Sequence, residues 1–173
     1  MYDLSLEKLD SYRRQGYRPQ AVGCFINDKR VLLLYKREHG LWQFPQGGID
    51  NQETPKQALI REMNEELGLN ISPYIKEIQF LGENKVNLPG ASYRQRDLKT
   101  DQGNAVFMKG KRYFIFAIAT ALREINIADS EFDKYVWADY VQARKLAESI
   151  YQRGKKRITV HALDLLKENK FIE

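Results

Sequence analysis

Residues 42–69, WQFPQGGIDNQETPKQALIREMNEELGL, decide the fold of this 173-residue chain. Their second half carries the signals of a helix. Thr54 stands where an N-cap belongs, Pro55 falls at the first helical position, and Gln57 completes a capping box with Thr54. Gly68 supplies the stop. Between them Leu59, Ile60, Met63 and Leu67 form an apolar stripe that should face a core. Glu62, Glu65 and Glu66 stand at i, i+3 and i+4, so one side of the helix presents all three. Like charges packed this way repel, and an isolated helix gains no stability from them. A hard divalent cation removes the conflict, because Mg²⁺ prefers carboxylate oxygen and is commonly held beside substrate phosphates. For a bare triplet, an ordinary solvated acidic face is the competing reading. The Gly47-Gly48 pair ahead of the helix lets backbone approach backbone or ligand with no Cβ in the way.

Composition bounds the rest. Hydrophobic residues make up 43% and charged residues 29%, the balance of a soluble globular protein. The length suits one domain, residues 1–173, with residues 1–15 as an N-terminal helical extension. No apolar run approaches the ~20 residues of a membrane span, so no membrane partner is expected. MYDLSLEKLD, with its acidic residues and broken apolar pattern, is not expected to act as a secretory signal. Cys24 is the single cysteine, which excludes an internal disulfide and a cysteine zinc site and fits a reducing cytoplasm. It lies in an apolar run and reads as a packing residue. The net charge of +5 points to a polyanionic partner.

Along the chain, residues 3–14 place Leu4, Leu6, Leu9 and Tyr12 among charges, the pattern of a short amphipathic helix. Gly16-Tyr17-Arg18-Pro19 breaks it. Residues 20–26 and 31–35 read as strands about the turn Asn27-Asp28-Lys29-Arg30. Residues 36–40 form a polar loop containing His39, an exposed polar residue by default. Tyr74 to Leu81 is a strand candidate; 84–111 is polar and irregular, with basic residues and the aromatics Tyr93 and Phe107 interleaved. Such a connection suits phosphate contacts and stacking on a base, although a solvated loop reads equally well. YFIFAIATA, residues 113–121, is the strongest strand and should be central. Residues 134–137 make a short strand, and 138–152 and 157–168 two helices. His161 belongs to the apolar face of the second and reads as a packing residue. Lys155-Lys156-Arg157 stands ahead of that helix, where a phosphate would also feel the helix N-terminus.

Gly47, Glu53 and the run Arg61-Glu62-Met63-Asn64-Glu65-Glu66-Leu67-Gly68-Leu69 resemble the Nudix box at each of its defined positions, from residue 47 to residue 69. The resemblance implies an α/β/α sandwich with a mixed central sheet and a loop-helix-loop metal site. It implies hydrolysis of a nucleoside diphosphate linked to another group. By matching position, Glu62, Glu65 and Glu66 are the metal ligands, while Glu53 and Arg61 brace the loop as an ion pair. Trp42 to Gly48, with Gln46 after the proline, and Gly16 to Pro19 resemble the subgroup of bacterial RNA pyrophosphohydrolases and dinucleoside polyphosphate hydrolases. Glu131-Phe132-Asp133 ahead of Trp137 resembles the segment that carries one further acidic ligand there, which points to Glu131. Three departures stand out. The first fifteen residues precede the subgroup's usual start. Val86 stands where a tyrosine is expected, with Tyr93 as a replacement. The segment at Lys155 lacks the apolar and aromatic pair used against a nucleobase.

These readings give expectations. The cofactor is Mg²⁺, with Mn²⁺ as the alternative. Catalytic residues are Glu65, Glu66 and Glu131, with the general base either Glu66 or Glu131. Substrate contacts are Arg18, Lys36, Arg37, Gln46, Gly47, Tyr93 and Lys111, since guanidinium and ammonium groups clamp phosphate. The leading substrate is the 5′-triphosphate end of RNA, with release of pyrophosphate; the alternative is a dinucleoside polyphosphate. A catalytically silent Nudix-type module that binds RNA or nucleotide would have lost box glutamates, and all are present. An isomerase would need its own acid and base, and no Cys or His is placed to serve. The sequence leaves a homo-oligomer open.

Overall fold

The computed structural model describes residues 4–89 and 97–173. In chain order the first elements are α1 (Leu6–Arg14), β1 (Tyr17–Asn27), β2 (Arg30–Lys36), β3 (Leu41–Gln43), β4 (Gln46–Gly48) and α2 (Pro55–Leu67). There follow β5 (Ile75–Asn87), β6 (Asp97–Lys99), β7 (Ala105–Phe107), β8 (Gly110–Thr120), β9 (Lys134–Ala138), α3 (Tyr140–Glu148) and α4 (Arg153–Glu168). The main sheet has the order β3-β2-β1-β8-β5, with β4 paired to β1 and β9 to β2. β1 and β8 run parallel at its centre, while β5 joins β8 antiparallel, so the sheet is mixed. β6 and β7 form a separate antiparallel hairpin.

Strand alternation sorts the core into two layers. Ala21, Phe25, Leu32, Leu34, Phe114, Phe116 and Ile118 face α1 and α2, whose Leu9, Tyr12, Leu59, Met63 and Leu67 pack on them. Val22, Cys24, Ile26, Leu33, Ile115 and Ala117 point the other way, onto Ala143, Ala147, Ile158, Ala162, Leu163 and Leu166 of α3 and α4. The result is the α/β/α sandwich. Cys24 is fully buried, and burial pushes its thiol pKa up, which leaves it inert. Each fully buried Leu or Met of α2 contributes roughly 1.5–3 kcal/mol. No helix among the described residues is long and apolar enough to cross a membrane.

Several boundaries differ from the sequence reading. The first helix starts at Leu6 because the Ser5 hydroxyl caps it, accepting from the Lys8 N–H. The stretch 84–111 is more regular than its polarity suggests. β5 runs on to Asn87 against β8, pairing Asn84 with Tyr113 and Lys85 with Arg112, and 97–107 fold into the β6–β7 hairpin. Strand pairing is made by backbone, so an edge strand tolerates polar side chains on its open face. β5 also carries two register shifts, between Ile75 and Glu77 and between Phe80 and Gly82. The helix expected over 138–152 is only Tyr140–Glu148. Ala138 ends β9 instead, and Asp139 caps α3 by accepting from the Gln142 N–H. α4 then begins at Arg153, which puts Lys155 to Arg157 inside the helix, in its first two turns, rather than ahead of it. β3 and β4, three residues each, are too short to leave a periodic signal.

α2 begins with the capping box: Thr54 Oγ1 accepts from the Gln57 N–H, and Gln57 Oε1 accepts from the Thr54 N–H. It ends at Gly68, in the left-handed region at φ 66°. A Cβ on Gly68 would lie 1.7 Å from the Asp129 carbonyl oxygen. Gly68→Ala combines that clash with a strained φ, so a loss of roughly 1–3 kcal/mol is expected in a urea titration. A stability within 0.5 kcal/mol of wild type, on the order of a surface change, would show that the 129–131 loop is not seated on the helix end.

Candidate active site

The loop and helix of the box close on each other through backbone. β4 lies antiparallel to β1, with Gln20 opposite Gly48 and Ala21 opposite Gly47. A Cβ on Gly47 would meet Glu62 Oε2 at 1.9 Å, so glycine there leaves room for the Glu62 carboxylate as Arg61 holds it. A Cβ on Gly48 would meet the Arg18 guanidinium at 2.5 Å, which places Arg18 over the same loop. Glu66 Oε2 accepts from the Gln46 N–H at 3.0 Å. Arg61 grips Glu53 with a fork, Nε to Oε1 at 2.8 Å and Nη2 to Oε2 at 2.7 Å. The same Nη2 donates to the Gly48 carbonyl at 2.9 Å, and Nη1 donates to Glu62 Oε1 at 2.6 Å. Glu53 also accepts from the Asp50 N–H. These hydrogen bonds hold the Glu53 carboxyl below its usual range.

The three helix glutamates do not share one environment. Positions 62, 65 and 66 span about 100° of helix circumference. Glu62 and Glu66 meet β4, whereas Glu65 lies on the outer edge with its side chain 57% exposed, 3.7 Å from Arg61. Glu131 joins them from the loop before β9. Its N–H donates to the Glu66 carbonyl at 2.9 Å, and its carboxylate lies 3.8 Å from Lys36 Nζ. Glu66 is pushed up to about 8, first by burial and then by the carboxylates of Glu131 and Glu62; the Gln46 N–H and Lys36 oppose the rise. Burial also raises Glu62, against the pull of Arg61.

Basic groups ring this cluster. Lys155 Nζ donates to Gln43 Oε1 at 3.1 Å. Burial lowers its pKa, the Glu66 carboxylate opposes that, and Lys36 adds to it, so Glu66, Lys36 and Lys155 share one electrostatic neighbourhood. Lys155 and Gln43 were not among the expected contacts; only the Lys-Lys-Arg run hinted at the first. Arg18 and Lys111 stand opposite each other on β1 and β8 and line a cleft of about 470 Å³ with Asp50 and Lys99. Lys111 also borders a second pocket of about 580 Å³, walled by Val86, Leu88, Pro89, Tyr113 and Lys155. The exposed Arg37 meets Asp133 through its backbone N–H. Among the described residues nothing ties its guanidinium to the box. Tyr93 lies outside the described residues. Gln46 contributes its backbone to Glu66, while its side chain amide turns to the Phe44 carbonyl.

Among the described residues no three His, Cys, Asp or Glu side chains converge closely enough to hold a metal ion as they stand. The donor chemistry nonetheless fits one. Only carboxylate oxygens are offered, as a hard divalent cation requires. Glu131 and Glu62 already repel ionisation of Glu66. Arg61 engages one oxygen of Glu62 and leaves the other facing Gly47.

The raised Glu66 has a consequence for the metal-free protein. Folded, it keeps its proton to about pH 8; unfolded, it loses it near 4.5. The folded state therefore binds more protons across that window, and stability falls as pH rises through it. In chelator, Glu66→Gln should flatten this slope by up to roughly 1.4 kcal/mol per pH unit. Urea titrations at pH 5.5 and 8 check it, and parallel slopes for the two proteins would refute the assignment.

Relatives share this chain over most of its length. An Acinetobacter baylyi protein named RNA pyrophosphohydrolase is 35% identical over 131 residues, 73% of this chain and 75% of that protein. A Pasteurella multocida protein of the same name is 30% identical over 165 residues, 89% of this chain and 79% of that protein. Among solved structures, the E. coli dihydroneopterin triphosphate pyrophosphohydrolase has a TM-score of 0.62 at 18% identity, covering 88% of this chain and 98% of that one. The MutT protein from Methanosarcina mazei Go1 gives 0.58 at 18% identity, over 89% and 96%. At such identities these two speak for the fold alone. The NUDIX domain family pattern matches residues 17–159, a span that takes in the braced loop, α2 and Glu131, and the chain belongs to the Nudix hydrolase family.

Proposed function

We propose that the chain, read as one domain over residues 1–173, removes pyrophosphate from the 5′-triphosphate end of RNA in the cytoplasm. The observation that carries this reading is the junction of an acidic cluster with a basic rim. Glu62, Glu66 and Glu131 meet Lys36 and Lys155 beside a pocket sized for a nucleoside. The relatives named RNA pyrophosphohydrolase, at 30–35% identity, support the choice of substrate.

Family members generally use a divalent metal, and Glu62, Glu65, Glu66 and Glu131 would hold it here, with Mg²⁺ first and Mn²⁺ second. When bound, such an ion lowers the pKa of water and stabilises charge on phosphoryl oxygens. The chain's own groups do the rest. Lys36, Lys155, Arg18 and Lys111 neutralise and orient the phosphates. Arg61 and Glu53 keep the loop seated. Glu66 and Glu131 are the two candidate bases that would take the proton of the attacking water. Water oxygen bonds to phosphorus, the anhydride P–O bond breaks, pyrophosphate leaves, and a 5′-monophosphate end remains.

Glu65→Gln with Glu66→Gln should reduce turnover of triphosphate-ended RNA by at least about 100-fold with the fold intact, as judged by circular dichroism. Undiminished turnover would refute the metal assignment. Lys155→Met should raise KM for the same substrate by on the order of 10-fold, since a phosphate contact made in the ground state is lost. A nucleoside pocket beside a phosphate chain serves diadenosine tetraphosphate as well, so both substrates are assayed in parallel. A sugar nucleotide cleaved in preference to both would overturn the substrate class.

A further inference from the structure

The family match begins at residue 17, yet α1 ends at Arg14 and reaches the box loop from outside that span. Its agent is Arg13, whose side chain is 2% exposed. Nη2 donates to the Ile49 carbonyl at 2.9 Å and to the Asp50 carbonyl at 3.0 Å. Nη1 donates to Asp101 Oδ1 at 3.2 Å. Asp101 sits at the turn of the β6–β7 hairpin and closes a ring. Its N–H donates to Asp10 on α1, and its carboxylate accepts from the side chain of Asn51, which also donates to the Lys99 carbonyl. Three segments distant in sequence thus meet at one guanidinium: α1, the hairpin and the loop that leads into α2. α1 itself is seated by the buried Leu9 and by Tyr12, which lies against Phe114 and under the Arg112 guanidinium.

Loop residues 48–50 are therefore held from two sides. Arg61 takes the Gly48 carbonyl from within the box, and Arg13 takes the next two carbonyls from outside it. A buried guanidinium with these partners cannot be exchanged for a lysine without loss, because an ammonium lacks the planar fork that reaches adjacent carbonyls and a carboxylate together. We infer that Arg13 is a positioning residue for phosphoanhydride hydrolysis, and that α1 and the β6–β7 hairpin act through it to fix the loop against which Glu62 and Glu66 are set. This deepens the proposed function and rests on it for the kinetic part only.

The test uses the full chain with Arg13→Met and Arg13→Lys. Hydrogen exchange of backbone amides 48–53 should quicken at least about 10-fold in Arg13→Met while amides 113–118 of β8 keep their wild-type rates. On triphosphate-ended RNA, kcat should fall about 10- to 100-fold with KM within about threefold, because misplacement by an ångström is felt in the chemical step. Arg13→Lys should recover part of both. Wild-type loop exchange and kcat in Arg13→Met overturn the inference. So does exchange that quickens equally in β8, which marks general destabilisation. If Arg13→Met does not fold, Asp101→Ala removes the acceptor for Arg13 and Asn51, and unaltered exchange at 48–53 in that variant is equally fatal. The exchange readout needs no substrate, so a wild-type protein inactive on RNA would defeat the substrate assignment and leave the positioning role to stand or fall by itself.

Discussion

A guanidinium presents N–H donors in one rigid plane, and at Arg61 that plane fixes the geometry of the whole site. One group reaches Glu53 across the loop, the carbonyl of Gly48 on β4, and Glu62 on its own helix. Such hydrogen bonds to charged groups contribute about 1.5–3 kcal/mol each. The larger effect is geometric, since loop and helix cannot slide past each other while the fork is closed. Everything acidic in the site is placed relative to it. Partial compensation of Glu62 by Arg61 also means that a cation would share that carboxylate rather than meet it bare. Glu66 has no such partner and instead holds its proton.

The second constraint is close approach. The Glu62 carboxylate fills the space that a side chain on Gly47 would need, and Gly23 on β1 likewise leaves room for Met63, whose sulfur would lie 2.4 Å from a Cβ there. The apolar stripe of the helix and its acidic edge are thus fixed by the same contact. Packing on one side and electrostatics on the other follow from a single helix rotation. That links the burial of Met63 and Leu67 directly to the enclosure of Glu66.

Much of this was legible from residues alone. The capping box, the Gly68 stop and the stripe at 59, 60, 63 and 67 defined α2 because each is a local signal, although Ile60 proves only half-buried at the margin of that stripe. The central strand at 113–121 was legible as an almost unbroken apolar run, and residues 113–118 are all buried, on both faces of the sheet. What escaped depends on partners far away in sequence. Strands of three residues have no period to read. The polar half of β5 is held by backbone pairing with β8. Lys155 reaches Gln43 across more than a hundred residues. Arg13 did leave a trace, since it follows Leu9 by four positions and so lies on the buried stripe of α1. A charged residue on such a stripe is easily taken for its margin. The fan of the three glutamates over about 100° was implicit in their spacing, but which two would meet β4 was decided by tertiary packing.

The long outer strand β5 shapes how this molecule can associate. Among the described residues no strand pairs with its outer side, and a straight apolar border of that length would invite the strand of another chain to add to it. Two register shifts break the run of evenly spaced donors and acceptors, and Lys76, Glu77, Glu83 and Lys85 load it with charge of both signs. At the opposite end β9, five residues long, lies on the far side of β2 and pairs with it alone among the described residues. The broken register and mixed charge make β5 a poor template for ribbon-like growth with another chain.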